Sequence, residues 1–199
     1  MEKIPINIVC EDDCSEATIK KIIAMRSDLE IGTIYKKRGR NYIQENINFF
    51  NEVAEVTPYI VFSDLDFDTC APNLIRTWLR KEKHNNLLFR IAVPEVEAWL
   101  IADTQNFSRY FEVPKQEIRQ DVELLYDAKK YLFHIIGKHC KKDIQTDILP
   151  KGTSTVGKGY NKRMLIYISR YWNPMKAKEN SDSLDRCINR VLEFSPSIE

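Results

Sequence analysis

Hydrophobic and polar positions change their period several times along the chain. Residues 4–9, 31–35, 59–63 and 87–93 are short apolar stretches rich in Ile, Val, Tyr and Phe, which read as buried strands. Between them the apolar positions recur at helical spacing. Ile19, Ile22, Ile23 and Met25 follow Ser15 as the expected N-cap and predict a helix to about Asp28. Ile43, Ile47, Phe50 and Ala54 mark the buried side of a second helix over 42–54, and Ala71-Pro72 opens a third through Lys81, with proline in its first turn. Strand alternating with helix predicts an α/β fold: a largely parallel sheet flanked by helices.

After Asp103 the pattern turns helical and amphipathic. Ile118, Val122, Leu125, Leu132, Ile135 and Ile136 predict one or two helices over 116–140, and two more are expected over 160–172 and 183–194. The expected organisation is an α/β domain over 1–110 and a helical C-terminal extension over 111–199, packed on the same domain. The glycine-containing stretch 151–163 superficially resembles a phosphate loop, but Gly159 follows Lys158 where a Walker A loop needs Ser or Thr.

Composition narrows the classes. The 199 residues are 43% hydrophobic and 30% charged, ordinary for a globular chain. No apolar run approaches the ~18 residues of a membrane span, and 1–5 lacks a signal peptide's apolar segment; no membrane association and a cytoplasmic location are expected. Five cysteines, an odd number, do not make a disulfide framework, and Cys10 and Cys14 have no second pair to complete a zinc site. The net charge of +1 is unevenly spread. Lys36, Lys37, Arg38 and Arg40, and Lys158 and Lys162 further on, are candidates to hold backbone phosphates.

The acids gather at strand ends. Glu11, Asp12, Asp13 and Glu16 follow the first strand, Asp64, Asp66 and Asp68 the third, and Glu95 and Glu97 the fourth. Open α/β sheets place ligands at the carboxyl ends of their strands. Clustered carboxylates repel one another unless a proton or cation intervenes, and hard oxygen donors favour Mg²⁺ or Mn²⁺. Glu11, Asp64 and Asp66 are the expected metal-binding and catalytic acids, with Asp68, Glu16, Glu95 and Glu97 as further metal ligands or outer acids. Glu95 and Glu97 also suit the positive end of the helix that they open.

Glu11 after the first strand, with Asp64-Leu65-Asp66 after a later one, resembles the Glu and Asp-x-Asp of the Toprim superfamily. The stretch 9–17 and the Glu97-Ala98-Trp99-Leu100-Ile101-Ala102-Asp103 segment are similar to those of small OLD-like (overcoming-lysogenization-defect) Toprim proteins. The resemblance covers about residues 4–103, and the family's usual Gly after its Glu is Asp12 here. It implies a Toprim-like fold and a Mg²⁺- or Mn²⁺-dependent nuclease acting on DNA or RNA, in phage defence beside a separate ATPase chain. Two alternatives stay open: a non-catalytic Toprim-like module that binds an ATPase or nucleic acid, and a metal-dependent phosphatase.

Overall fold

The computed structural model describes residues 3–36 and 39–197. Four strands, β1 (Ile4–Val9), β2 (Leu29–Tyr35), β3 (Tyr59–Asp64) and β4 (Leu87–Ala92), form one all-parallel sheet in the order β2-β1-β3-β4. Three helices connect them: α1 (Asp13–Ile23), α2 (Gly39–Val53) and α3 (Ala71–Trp78). The chain steps from β1 outward to β2, then returns across β1 to β3. The direction of travel thus reverses between β1 and β3, and their carboxyl ends flank a topological switch point.

Side-chain alternation splits the core in two. Ile8, Ile60, Phe62, Leu88 and Ala92 face one layer, and Val9, Tyr59, Val61, Phe89 and Ile91 the other. The second layer is closed by Ile43, Ile47 and Phe50 of α2 and by Leu74 and Trp78 of α3. The first is closed by α1 and by the helices that follow the sheet: α4 (Val96–Ala102), α5 (Thr104–Phe111), α6 (Ala128–His139), α7 (Lys142–Ile148), α8 (Tyr160–Arg170), the short α9 (Pro174–Ala177) and α10 (Asp182–Leu192). One apolar cluster runs from Ile6 through Trp99 to Phe194, so the C-terminal helices share a core with the sheet. Polar contacts reinforce the union. Arg26, just beyond α1, donates to the carbonyls of Val191 (3.0 Å), Leu192 (2.8 Å) and Phe194 (2.8 Å) at the end of α10, and the Trp99 indole donates to Ser183 Oγ at 2.7 Å.

Three sequence expectations shift. The cap of α1 is Asp12, not Ser15: the Asp12 carboxylate accepts the Ser15 amide at 2.8 Å, and the helix stops at Ile23. Residues 116–140 are not continuous helix. Val122 is buried from a single 3-10 turn, Val122–Leu124, and Ile118 and Leu125 from the residues that end the turns Lys115–Glu117 and Val122–Leu124, before α6 begins at Ala128. The third helix ends at Trp78 rather than Lys81. Among the described residues no helix is long and apolar enough to cross a membrane.

Close approach explains two glycine positions. A Cβ on Gly32 would stand 2.5 Å from Asn7 Oδ1, the atom that accepts the Thr33 amide at 2.7 Å beside the irregular β1–β2 register. A Cβ on Gly157 would meet the Asp147 carbonyl at 2.1 Å; the glycines around Lys158 let this loop lie against the end of α7.

Candidate active site at the β1–β3 switch point

Glu11 leaves β1 and turns toward β3. Its Oε1 accepts the Ser63 hydroxyl at 2.6 Å and the Asp64 amide at 3.2 Å, so the ends of the two strands are joined through this carboxylate. Burial pushes the Glu11 carboxyl up, against the two hydrogen bonds, and the charges of Asp66 and Asp12 add to the rise. The next residue, Asp12, has φ −146°, an extended backbone open to any residue, so its side chain is free to cap α1.

Asp64 ends β3. Its Oδ1 accepts the Val96 amide at 2.9 Å, at the start of α4. Burial pushes its carboxyl well up, followed by the charges of Glu97, Glu11, Asp66 and Asp12. Three adjacent strands, β1, β3 and β4, therefore deliver acids that interact at one end of the sheet. Glu97 lies deepest, 1% exposed on α4. Its Oε1 accepts the Tyr160 hydroxyl at 2.7 Å and faces Lys129 Nζ at 3.2 Å, while its Oε2 is buried with no hydrogen-bond partner among the described residues. Desolvation of Lys129 acts to lower its pKa, but the charge and hydrogen bond of Glu97 outweigh it and hold the ammonium above its ordinary value. Glu95 caps a different element: its Oε2 accepts the Lys129 amide at 2.8 Å at the start of α6.

The remaining candidate acids are bound to cations of the chain. Asp66, at φ 52°, accepts from Arg40 Nη1 at 2.6 Å, and Asp68 pairs with the other terminal nitrogen of the same guanidinium. Glu16 pairs with Lys20 at 2.5 Å and with Lys36, which also bonds Asp13 at 2.8 Å. Lys36 and Arg40, expected to hold phosphates, are thus engaged with acids of their own chain. Lys37 and Arg38 lie outside the described residues. Lys158 and Lys162 are exposed, and they sit beside α7 and on α8, on elements other than the strands that carry the acids.

The site therefore unites Glu11, Asp64 and Glu97, with Asp66 electrostatically coupled to the first two but bonded to Arg40. Among the described residues no group of three or more His, Cys, Asp or Glu side chains is arranged to hold one ion jointly. Lys129, Tyr160 and Arg40 in its acid-binding role were missed from sequence; Lys129 and Tyr160 belong to helices far along the chain and carry no motif. Beside the acidic loop, Phe67 and Tyr126 are both exposed and meet at a tilt of 39°, with ring centroids 5.2 Å apart. The buried thiol of Cys10 is pushed up to about 12 by burial and by Glu16 and Asp12, which leaves it protonated and unreactive at neutral pH. Compared with known proteins, the chain matches no family model, no curated protein and no solved structure.

Proposed function

We propose that the chain is a Toprim-type, divalent-cation-dependent nuclease that hydrolyses phosphodiesters of DNA or RNA. The observation that supports this best is the meeting of Glu11 and Asp64 across the β1–β3 switch point, with Glu97 entering from beyond β4. The donors fit Mg²⁺ or Mn²⁺ in chemistry. They are hard oxygens, the ionised form of Asp64 is disfavoured by burial and by four acidic neighbours, and Glu97 Oε2 is buried without a hydrogen-bond partner among the described residues. Glu11, Asp64 and Asp66 would hold the cation, Asp66 by exchanging Arg40. When bound, such a cation polarises water and the phosphodiester and neutralises charge on the leaving oxygen.

The chain's own residues have separate tasks in this reading. Ser63 and the Asp64 amide fix the Glu11 carboxylate, the Val96 amide orients Asp64, and Tyr160 and Lys129 position Glu97. The exposed Phe67–Tyr126 pair suits stacking of an unpaired base beside the acids. The family resemblance adds phage defence with an ATPase on another chain. The five free cysteines suit the reducing cytoplasm.

One observation favours a second reading. Arg40 already neutralises Asp66 and Asp68, as it would in a binding module whose acids are structural. The deciding experiment is Mn²⁺-dependent cleavage of plasmid DNA and of single-stranded DNA and RNA by the wild type, Glu11→Gln and Asp64→Asn. Cleavage lost in both folded variants supports the nuclease; a wild type that binds neither Mn²⁺ nor cuts any substrate is the module. Hydrolysis of a simple phosphomonoester with all nucleic acids intact would make it a phosphatase.

A further inference from the structure

Strand β4 is the last in the sheet order, so among the described residues one of its edges has no neighbouring strand. Along it, Leu88 and Ala92 face the apolar layer shared with α10, and Arg90 occupies the register position between them. A guanidinium stands where the alternation calls for an aliphatic side chain. Its Nε donates to the carbonyl of Phe89 at 2.7 Å, and among the described residues Arg90 joins no ion pair.

Its charged neighbours are mostly of the same sign. Arg186 and Arg190 project from successive turns of α10, and Lys83 precedes the strand. Arg90 lines two adjoining cavities, one of about 290 Å³ shared with Arg186 and one of about 440 Å³ shared with Arg190 and Lys83. Burial pushes Arg90 down; Cys187 opposes this, and Arg190 and Arg186 deepen it. Lys83 is lowered by burial and then by Arg90 and Arg190. Among the described residues the one acid lining these cavities, Glu193, lies 3.9 Å from Arg190, a loose exposed pair. Removal of a guanidinium from water without a counter-ion is costly, and like charges around it raise that cost.

We infer that the free edge of β4 carries a binding site for a phosphate group, held by Arg90 together with Arg186 and Arg190. A phosphate matches this arrangement better than a carboxylate because its several oxygens accept from donors approaching from the strand and from the helix at once. The smaller cavity continues onto an apolar wall of Pro72, Ile75 and Val93, which gives the non-phosphate part of a ligand a surface to cover. The phosphate has two sources, a free nucleotide or the backbone of a nucleic acid. The inference is independent of the acid cluster at the switch point.

The test is binding of pyrophosphate, a nucleoside triphosphate and a single-stranded oligonucleotide by calorimetry and thermal shift, all in chelator so that no cation bridges to the acids. The wild type is expected to bind at least one probe, and Arg90→Met and Arg186→Glu to weaken it by about tenfold or more, the loss of one charge-assisted hydrogen bond. Without anion, Arg90→Met is expected to melt at the same temperature or higher, since it removes a half-buried cation that has no ion-pair partner among the described residues. Binding of the nucleotide as tightly as the oligonucleotide identifies a small ligand, and preference for the oligonucleotide identifies a strand. The inference is overturned if no phosphate probe binds, if a poly-glutamate peptide binds in their place, or if Arg186→Glu, exposed and harmless to folding, leaves the affinity unchanged.

Discussion

Lys129 Nζ stands 3.2 Å from Glu97 Oε1, the same oxygen that accepts the Tyr160 hydroxyl. Helices α6 and α8 thereby supply the partners for the deepest acid at the sheet's end, and the C-terminal helices complete the site as well as the core. Lys129→Met removes the counter-charge of a carboxylate that is 1% exposed. The expected cost is about 2–3 kcal/mol, below the ~3–5 kcal/mol of a fully buried pair because water reaches part of the lysine. Guanidinium unfolding at pH 7 measures it, and adding Glu97→Gln should recover most of the loss. A Lys129→Met chain as stable as the wild type would show that Glu97 does not depend on this ammonium.

Stability is expected to rise on mild acidification. Burial first, and acidic neighbours next, push the carboxyls of Glu11 and Asp64 above their ordinary values, and burial does the same to Glu95. Their folded forms bind protons more tightly than the unfolded chain, so their contribution is fully present at low pH and is lost as pH rises through the folded values. Asp28 acts in the opposite sense: the hydrogen bond from Arg26 holds it at about 2 against an ordinary 3.8, and its contribution is lost as pH falls through that window. A melting series from pH 8 to 2 in chelator should therefore peak on the acidic side of neutrality. Asp64→Asn should flatten the neutral limb and raise the melting temperature at pH 7. A melting temperature that falls steadily from pH 7 to 5 contradicts this account.

The parallel sheet was legible because its strands are buried on both faces and so stand out as apolar runs between helical periods. Glu11 and Asp64 were legible for the same reason, as the first acids after such runs. The segment before α6 was not: Ile118, Val122 and Leu125 are spaced four and three apart, as on a helix, yet are buried from two 3-10 turns and the residues that end them. Periodicity reports which side chains are buried, and a winding loop pinned to a core meets that condition too. The cap of α1 was misplaced because Asp12 and Ser15 both suit an N-cap, and the choice depends on where β1 releases the chain. The pairing of Arg40 with Asp66 and Asp68 was not legible, because charge runs carry no information about which acids the fold brings to them.

Arg40 spends its guanidinium on the acidic loop. It donates to Asp66 at 2.6 Å, pairs with Asp68, reaches the Leu65 carbonyl at 3.1 Å and lies 5.0 Å from the ring centre of Trp78. Were it a phosphate contact, Arg40→Gln would reduce the salt slope of nucleic-acid binding by about 0.9. With its charge already paired, the variant should leave that slope unchanged and should unpair two carboxylates beside Glu11 and Asp64. The expected result is Mn²⁺ binding several-fold tighter at low salt, on the order of the ~1 kcal/mol that a partly screened charge pair is worth. Mn²⁺ titration followed by water proton relaxation measures it directly. Weaker Mn²⁺ binding would mean that the hydrogen bonds from Arg40 to the loop matter more than the charge they neutralise, and that Arg40 shapes the site instead of competing for it.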